Sequence, residues 1–354
     1  MHTRLRVLAL LSDARLRQEI QKRWRANGIH LCAVHAESGD FLLEELARLR
    51  PQVLVVDAEL DGVREVIQQA ASRHRIPVIG LVRVQENGLG PLRPLEWGAI
   101  TVVPRTLVEP EQLALDLESA IERTCGAQVV DLLDADFPLS GAFPDATVFD
   151  LRRALRARAP QEKMVVLGAG LGGPMAVRRI LGELGGVAFS PIVYAQGISS
   201  ALLPALARWL ESHTGVFVHP VESGQKLEVG HVYVASTNHE SVRIETTSGG
   251  NVLRVCASNG KSRPLDALLQ SMAQAYGSSA VGVLLSGHGD DGCEGMLALR
   301  AVGGFTIAQD RASSFVYDLP GRVRECGGAI ECLPINEIAE RIVMLMHAEH
   351  ATRV

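Results

Sequence analysis

The sequence predicts an α/β chain of two domains joined by a linker. Three observations carry this reading. The 354 residues are enough for two cores of ordinary size. In both halves short apolar runs alternate with helix-length stretches, the pattern of parallel strands covered on both faces. Between the halves, residues 126–160 lose that alternation: GAQVVDLLDADFPLSGAFPDA is acidic with two Phe-Pro steps, and VFDLRRALRARAP reads as a short basic helix ended by Pro160. The expected organisation is therefore a first domain over 1–125, a linker over 126–160 and a second domain over 161–350.

Composition narrows the function classes. The net charge is −5 with no long basic or acidic run, which argues against nucleic acid as a main partner. Six cysteines are scattered without a CxxC pair. That argues against a zinc site or a disulfide framework and fits a reducing, cytoplasmic compartment. The apolar run in MHTRLRVLALLSDAR is too short to span a membrane and reads as a first strand, so no membrane insertion is expected.

In the first domain the strand candidates are 5–11, 29–34, 52–57, 76–82 and 99–103, separated by segments such as DARLRQEIQKRWRANG and DFLLEELARLRP. Five such units predict a flavodoxin-like, five-stranded parallel sheet with ligands at the carboxyl ends of its strands. Asp57 ends the third strand in VLVVDAELDG. This segment, with GAITVVP near the fifth strand, resembles a response-regulator receiver domain, and Asp57 stands at the phosphoacceptor position. Receivers hold Mg²⁺ with an acidic pair after the first strand. Here that place reads Leu11-Ser12, with Asp13 one step on. Val82 stands where the resemblance expects a hydroxyl and Val103 where it expects a lysine. The expectation is a receiver-shaped interaction module in which Asp57 is satisfied by nearby N–H groups.

The second domain opens with KMVVLGAGLGGPMAVRRILGEL, a strand, a glycine-rich turn and a helix. Residues 168–173 match GxGxxG, the dinucleotide fingerprint. The next strand, PIVYAQG, ends without an acid for a ribose, and a tight strand-to-helix turn needs glycine in any case. Further on come VESGQKLEVGHVYVAS, SRPLDALLQSMAQAYG, VGVLLSGHGDDGCEGM and GGFTIAQDRASSFVYDLP. In this order they resemble the catalytic domain of CheB-type protein-glutamate methylesterases. The resemblance covers roughly 164–345 and implies a doubly wound α/β methylesterase-like domain.

What the resemblance implies for the site is a loss. The family's Ser-His-Asp chemistry draws its serine from GASTGG, where this chain has GAGLGG, so Gly170 stands for the serine and Leu171 for the threonine. The family's histidine follows a glutamine, where this chain has Gln196-Gly197. The aspartate of TGMGxDG is kept as Asp291. No cofactor is implied. Three functions are carried forward, in this order. The first is a non-catalytic chemosensory protein that binds chemoreceptors, a kinase or a methyltransferase. The second is an esterase or amidase whose chemistry has moved to His288 and Cys293 or to Ser199, Ser200 or Ser286. The third is a nucleotide-binding regulator using GAGLGG. Simpler roles compete at each residue: a loop histidine for His288, a small buried residue for Cys293, helix caps for Asp290 and Asp291, a core position for Trp209. His213, His219, His231 and His239 have no helical i, i+4 spacing and do not read as a metal site.

Overall fold

The computed structural model describes residues 5–27, 29–35, 45–84, 92–105, 110–125, 127, 129, 163–185, 189–238, 240–257 and 263–347. The chain divides into two compact units, Met1–Ala135 and Asp136–Val354. The predicted linker 126–160 lies, except for residues 127 and 129, outside the described residues, as does its basic helix.

The first unit runs β1 (Leu5–Leu10), α1 (Ala14–Ala26), β2 (Ile29–His35), α2 (45–49), β3 (Val53–Asp57), α3 (Val63–Ser72), β4 (Val78–Arg83), α4 (Arg93–Glu96), β5 (Thr101–Arg105) and α5 (Pro110–Thr124). The strands form one parallel sheet in the order β2-β1-β3-β4-β5, the expected flavodoxin-like winding. Period-two alternation explains why the strands are apolar throughout. Val7, Ala9, Val53 and Val55 pack with Leu16, Ile20, Trp24, Leu113 and Leu117 on one face. Leu8, Leu10, Leu54 and Val56 pack with Leu46, Val66 and Ile67 on the other. Pro104 lies within β5, the edge strand, one residue before its end.

The second unit runs β6 (Met164–Ala169), α6 (Gly173–Leu184), β7 (Ile192–Gln196), α7 (Leu203–Thr214), β8 (Phe217–Pro220), β9 (His231–Ser236), the hairpin β10 (Glu240–Thr247) and β11 (Gly250–Ala257), α8 (Pro264–Tyr276), β12 (Ala280–Leu284), α9 (Cys293–Ala301), β13 (Phe305–Gln309), α10 (Asp318–Glu325), β14 (Glu331–Leu333) and α11 (Ile335–His347). Its seven-stranded sheet has the order β14-β13-β12-β6-β7-β9-β8, and every pairing is parallel. Leu268, Leu269 and Met272 of α8, Met296 and Leu299 of α9, and Leu319 and Val323 of α10 bury against Met164, Val166, Val193 and Leu284 on one face. Helices α6, α7 and α11 pack on one another and against β6, β8 and β13. Trp209 is fully buried on α7, as the sequence predicts. Among the described residues no helix is long and apolar enough to cross a membrane.

Candidate functional site

The winding places the site. From β6 the chain builds outward through β7, β8 and β9, then returns to add β12 on the other side of β6. The carboxyl ends of β6 and β12 therefore flank the point where strand order reverses, which is where open α/β sheets form their crevice. The loops after β6, β7 and β12 meet there. Gly170 N–H donates to the Ser286 carbonyl (2.9 Å), and Gly197 N–H to the Ala169 carbonyl (2.9 Å).

These contacts bring Gly170 and Gly197 together. A Cβ added at Gly197 would stand 3.6 Å from the Gly170 Cα and 3.8 Å from Thr237 Oγ1, ordinary contact distances. A Cβ added at Gly170 would stand only 3.0 Å from the Gly287 Cα. Beneath them Gln196 is buried. Its Nε2 donates to the Gly170 carbonyl at 2.8 Å, and its Oε1 accepts from the Tyr194 hydroxyl. Burial holds the Tyr194 phenol well above its ordinary pKa. Leu171 is buried, and its carbonyl accepts the Ser286 hydroxyl at 2.6 Å. Ser286 Oγ also accepts from Val316 N–H at 2.9 Å. It is a staple between loops, fully buried, and not a poised nucleophile. Ser199 is half-buried and Ser200 exposed.

Asp291 is placed by a different logic. Its Oδ2 accepts from Leu265 N–H and its Oδ1 from Asp266 N–H, each at 3.0 Å, so it caps α8. The sequence expects a cap for the helix that follows it. That helix, α9, instead has Gly292 at its N-cap position, which offers no side-chain cap. Its free N–H groups go to Asp266, whose Oδ1 accepts from Gly292 (3.0 Å) and Gly295 (2.7 Å). The two helices thus exchange caps. Arg263 ties the arrangement together, pairing with Asp266 and, at 3.1 Å, with Asp290. Burial pushes the Asp291 pKa up, against the N–H bonds that favour its carboxylate.

His288 has an acidic partner that sequence reasoning missed. Its Nδ1 lies 2.8 Å from Asp318 Oδ2. Asp318 also accepts from Gly289 N–H (2.8 Å) and Arg322 Nε (2.9 Å). Partial burial works against the Asp318 carboxylate, but the Gly289 and Arg322 donors outweigh it and hold its pKa below the ordinary value. The pairing arises because Gly287 N–H donates to the Val316 carbonyl and Leu319 N–H to the Gly287 carbonyl, which laces two distant loops together. The only local signal was an acid ahead of Leu319-Pro320 at a helix start. Cys293 opens α9 as expected. Burial, and then Cys326 beside it, push its thiol up to about 12. A thiol attacks as thiolate, so this setting disfavours it as a nucleophile.

The glycines of GAGLGG are accounted for by protein atoms. The space left by the missing Cβ of Gly168 is taken by Leu284 and Leu265, that of Gly172 by Phe315 and that of Gly173 by Gln196. Gly172 also has φ +78°, a conformation that favours glycine. Close packing and one left-handed turn therefore explain the spacing. Elsewhere in this unit His219 Nε2 and His231 Nδ1 are 2.9 Å apart, and His213 Nδ1 lies 2.7 Å from the Trp209 carbonyl. His239 lies outside the described residues. Among the described residues no three His, Cys, Asp or Glu side chains are grouped to hold a metal.

In the first unit Asp57 is buried at the end of β3. Its Oδ1 accepts from Glu59 N–H at 3.3 Å. Its Oδ2 accepts from Ser12 N–H (3.4 Å), the Ser12 hydroxyl and Arg105 Nη1 (3.3 Å). The N–H partners are as expected. The cation of this site is Arg105, on the far side of Pro104 from Val103, where the receiver resemblance places a lysine.

Comparison with known proteins shows the family. The profile of the CheB methylesterase family matches residues 165–342. The chain is 31% identical over 311 residues to a protein-glutamate methylesterase/protein-glutamine glutaminase of Bordetella parapertussis, covering 85% of each chain. It is 27% identical over 351 residues to one of that name (number 4) from Geobacter metallireducens, covering 96% of this chain and 99% of the relative. The crystal structure of the Thermotoga maritima CheB methylesterase catalytic domain is similar at 29% identity and a TM-score of 0.49, covering 52% of this chain and 100% of that one. With its profile spanning half of the chain and a relative above 30% identity aligned over most of its length, this protein belongs to the CheB methylesterase family.

Proposed function

We propose that this protein is a chemosensory member of the CheB family that binds through the methylesterase fold and does not hydrolyse esters. One observation carries the reading: Gly170 and Gly197 adjoin at the crevice, and neither has a side chain. Acyl transfer by this fold needs a nucleophile and a base within hydrogen-bond reach of each other. The two positions are in reach, and the groups are missing. The relatives' name sets the ligand class, a protein segment carrying glutamyl or glutaminyl side chains; the chemosensory reading makes that segment a chemoreceptor's, with a kinase or methyltransferase as further partners.

The test is methanol release from methylated receptor membranes, with the unaltered protein beside Gly170→Ser/Gly197→His. We expect no release above background from the first and measurable release from the second. Equal release from the two would sink the proposal.

A second reading rests on the His288–Asp318 pair, because a carboxylate on one ring nitrogen orients the other as a base. Here His288 would take a proton from water, the resulting hydroxide would attack the ester carbonyl, and the proton would leave with methanol. Release from the unaltered protein that is lost in His288→Ala and kept in Cys293→Ala would establish this route.

A further inference from the structure

The N-terminal pocket differs from a metal-dependent phosphoacceptor site in a specific way. Two carboxylates face the carboxyl ends of β1 and β3, an oxygen-rich setting of the kind that Mg²⁺ takes. In this chain their oxygens are already held. Arg105 Nη2 lies 2.8 Å from Asp13 Oδ2, and Arg105 Nη1 lies 3.3 Å from Asp57 Oδ2 and 3.2 Å from Ser12 Oγ. The other oxygen of Asp13 caps α1, accepting from Arg15 N–H (2.8 Å) and Leu16 N–H (3.2 Å). The loop below is pinned by a second guanidinium: Arg17 Nη1 donates to the carbonyls of Leu11 (2.7 Å) and Ser12 (2.9 Å).

This arrangement does not fit a divalent cation. Mg²⁺ needs oxygen lone pairs at about 2.0–2.1 Å in near-octahedral array. The guanidinium uses those lone pairs and fills the gap between the carboxylates. Arginine is charged at every accessible pH, and its planar fork suits two acceptors at once. It supplies from within the chain the positive charge that a bound metal supplies elsewhere. Asp57 Oδ2 takes three donors, from Ser12 N–H, the Ser12 hydroxyl and Arg105, while Oδ1 accepts from Glu59 N–H.

We propose that Arg105 is the resident cation of this pocket and keeps the N-terminal unit in a single charge state, independent of divalent metal and of phosphoryl donors. Asp13 and Asp57 then form a latent divalent-cation site that Arg105 keeps closed.

The experiment uses the full chain. Free Mn²⁺ is followed by electron paramagnetic resonance, thermal melting is recorded with and without Mg²⁺, and intact mass is read after incubation with acetyl phosphate and Mg²⁺. We expect the unaltered protein to bind no Mn²⁺, to melt at the same temperature with and without Mg²⁺, and to gain no phosphate. Arg105→Ala should bind Mn²⁺ saturably and show an upward melting shift with Mg²⁺. If that variant folds only with Mg²⁺ present, the proposal is supported equally. Arg105→Lys keeps a cation and should remain blind to Mn²⁺. The proposal is overturned by Mn²⁺ binding in the unaltered protein that disappears in Asp13→Asn, or by a phosphate adduct that disappears in Asp57→Asn. It is also overturned if neither Arg105→Ala nor Arg105→Gln responds to Mg²⁺ or Mn²⁺.

Discussion

Gly170 and Gly197 are not equivalent, and their surroundings say how each would receive a side chain. At Gly197 the nearest atoms to an added Cβ are 3.6–3.8 Å away. Gly197→His should therefore leave stability within about 0.5 kcal/mol of the unaltered protein. At Gly170 the added Cβ meets the Gly287 backbone at 3.0 Å, and backbone yields less readily than a side-chain tip. Gly170→Ser should cost about 1–3 kcal/mol as local overpacking. Urea unfolding of the two single variants checks this, and equal midpoints would mean that the β12 loop gives way freely. Cys293 makes a separate residue-scale case. Its raised thiol pKa, from burial and then Cys326, leaves little thiolate near neutral pH. Iodoacetamide at mildly alkaline pH should label exposed Cys125 well before Cys293, as read by peptide mass. The reverse order would return Cys293 to the list of nucleophiles.

At the scale of elements, the exchange of caps between α8 and α9 governs the loop that carries His288. Each helix lacks a side-chain cap from its own N-cap residue; α9 is capped by Asp266 of α8, and α8 by Asp291 of the loop that leads into α9. Asp291→Asn keeps one acceptor oxygen and turns the other atom into a donor facing an N–H, so it should cost about 1–2 kcal/mol. Asp266→Asn should cost at least as much, because Asp266 is nearly fully buried and also partners Arg263. The double variant should lose less than the sum, since both act on one network; strict additivity in urea unfolding would refute the exchange. This network also shows where sequence reasoning stops. Asp291 was legible as a helix-end acid because Gly292 and an apolar period follow it. Its true partner, the start of α8, lies some 25 residues back. His288 with Asp318, and Arg105 with Asp13 and Asp57, are likewise made by tertiary contact between loops that no local pattern links.

For the molecule as a whole, the strands were readable because a doubly covered parallel sheet writes itself as short apolar runs, as in 52–57 and 76–82. The glycines of GAGLGG were readable as a turn, but whether packing or a ligand required them was not, since Phe315 and Gln196 fill the space from elsewhere in the chain. Acid titration tests the charge placement of both units through groups whose shifts oppose one another. Asp13 is partly buried, which works against its charge, but N–H bonds from Leu16 and Arg15 and the Arg105 charge hold its pKa below the ordinary value. Asp318 is lowered similarly, whereas burial raises Asp291. A lowered carboxyl binds protons more readily in the unfolded chain. Its stabilisation is complete above the unfolded value of about 3.9 and fades as pH falls through the folded one. A raised carboxyl acts in reverse: its contribution is present in acid and lost as pH rises through the folded value. In the second unit Asp318 and Asp291 therefore act in opposite directions, while in the first Asp13 acts in one. Asp13 caps α1, the helix that holds fully buried Trp24; with Trp209 of the second unit replaced by Phe, tryptophan emission comes from the first unit alone. We expect the urea stability of Trp209→Phe, read by tryptophan emission, to fall as pH drops below about 4. The fall should be shallower in Asp13→Asn, because asparagine remains a good helix cap but does not titrate. An unchanged slope in that variant would show that the acid response does not run through the Asp13–Arg105 pair.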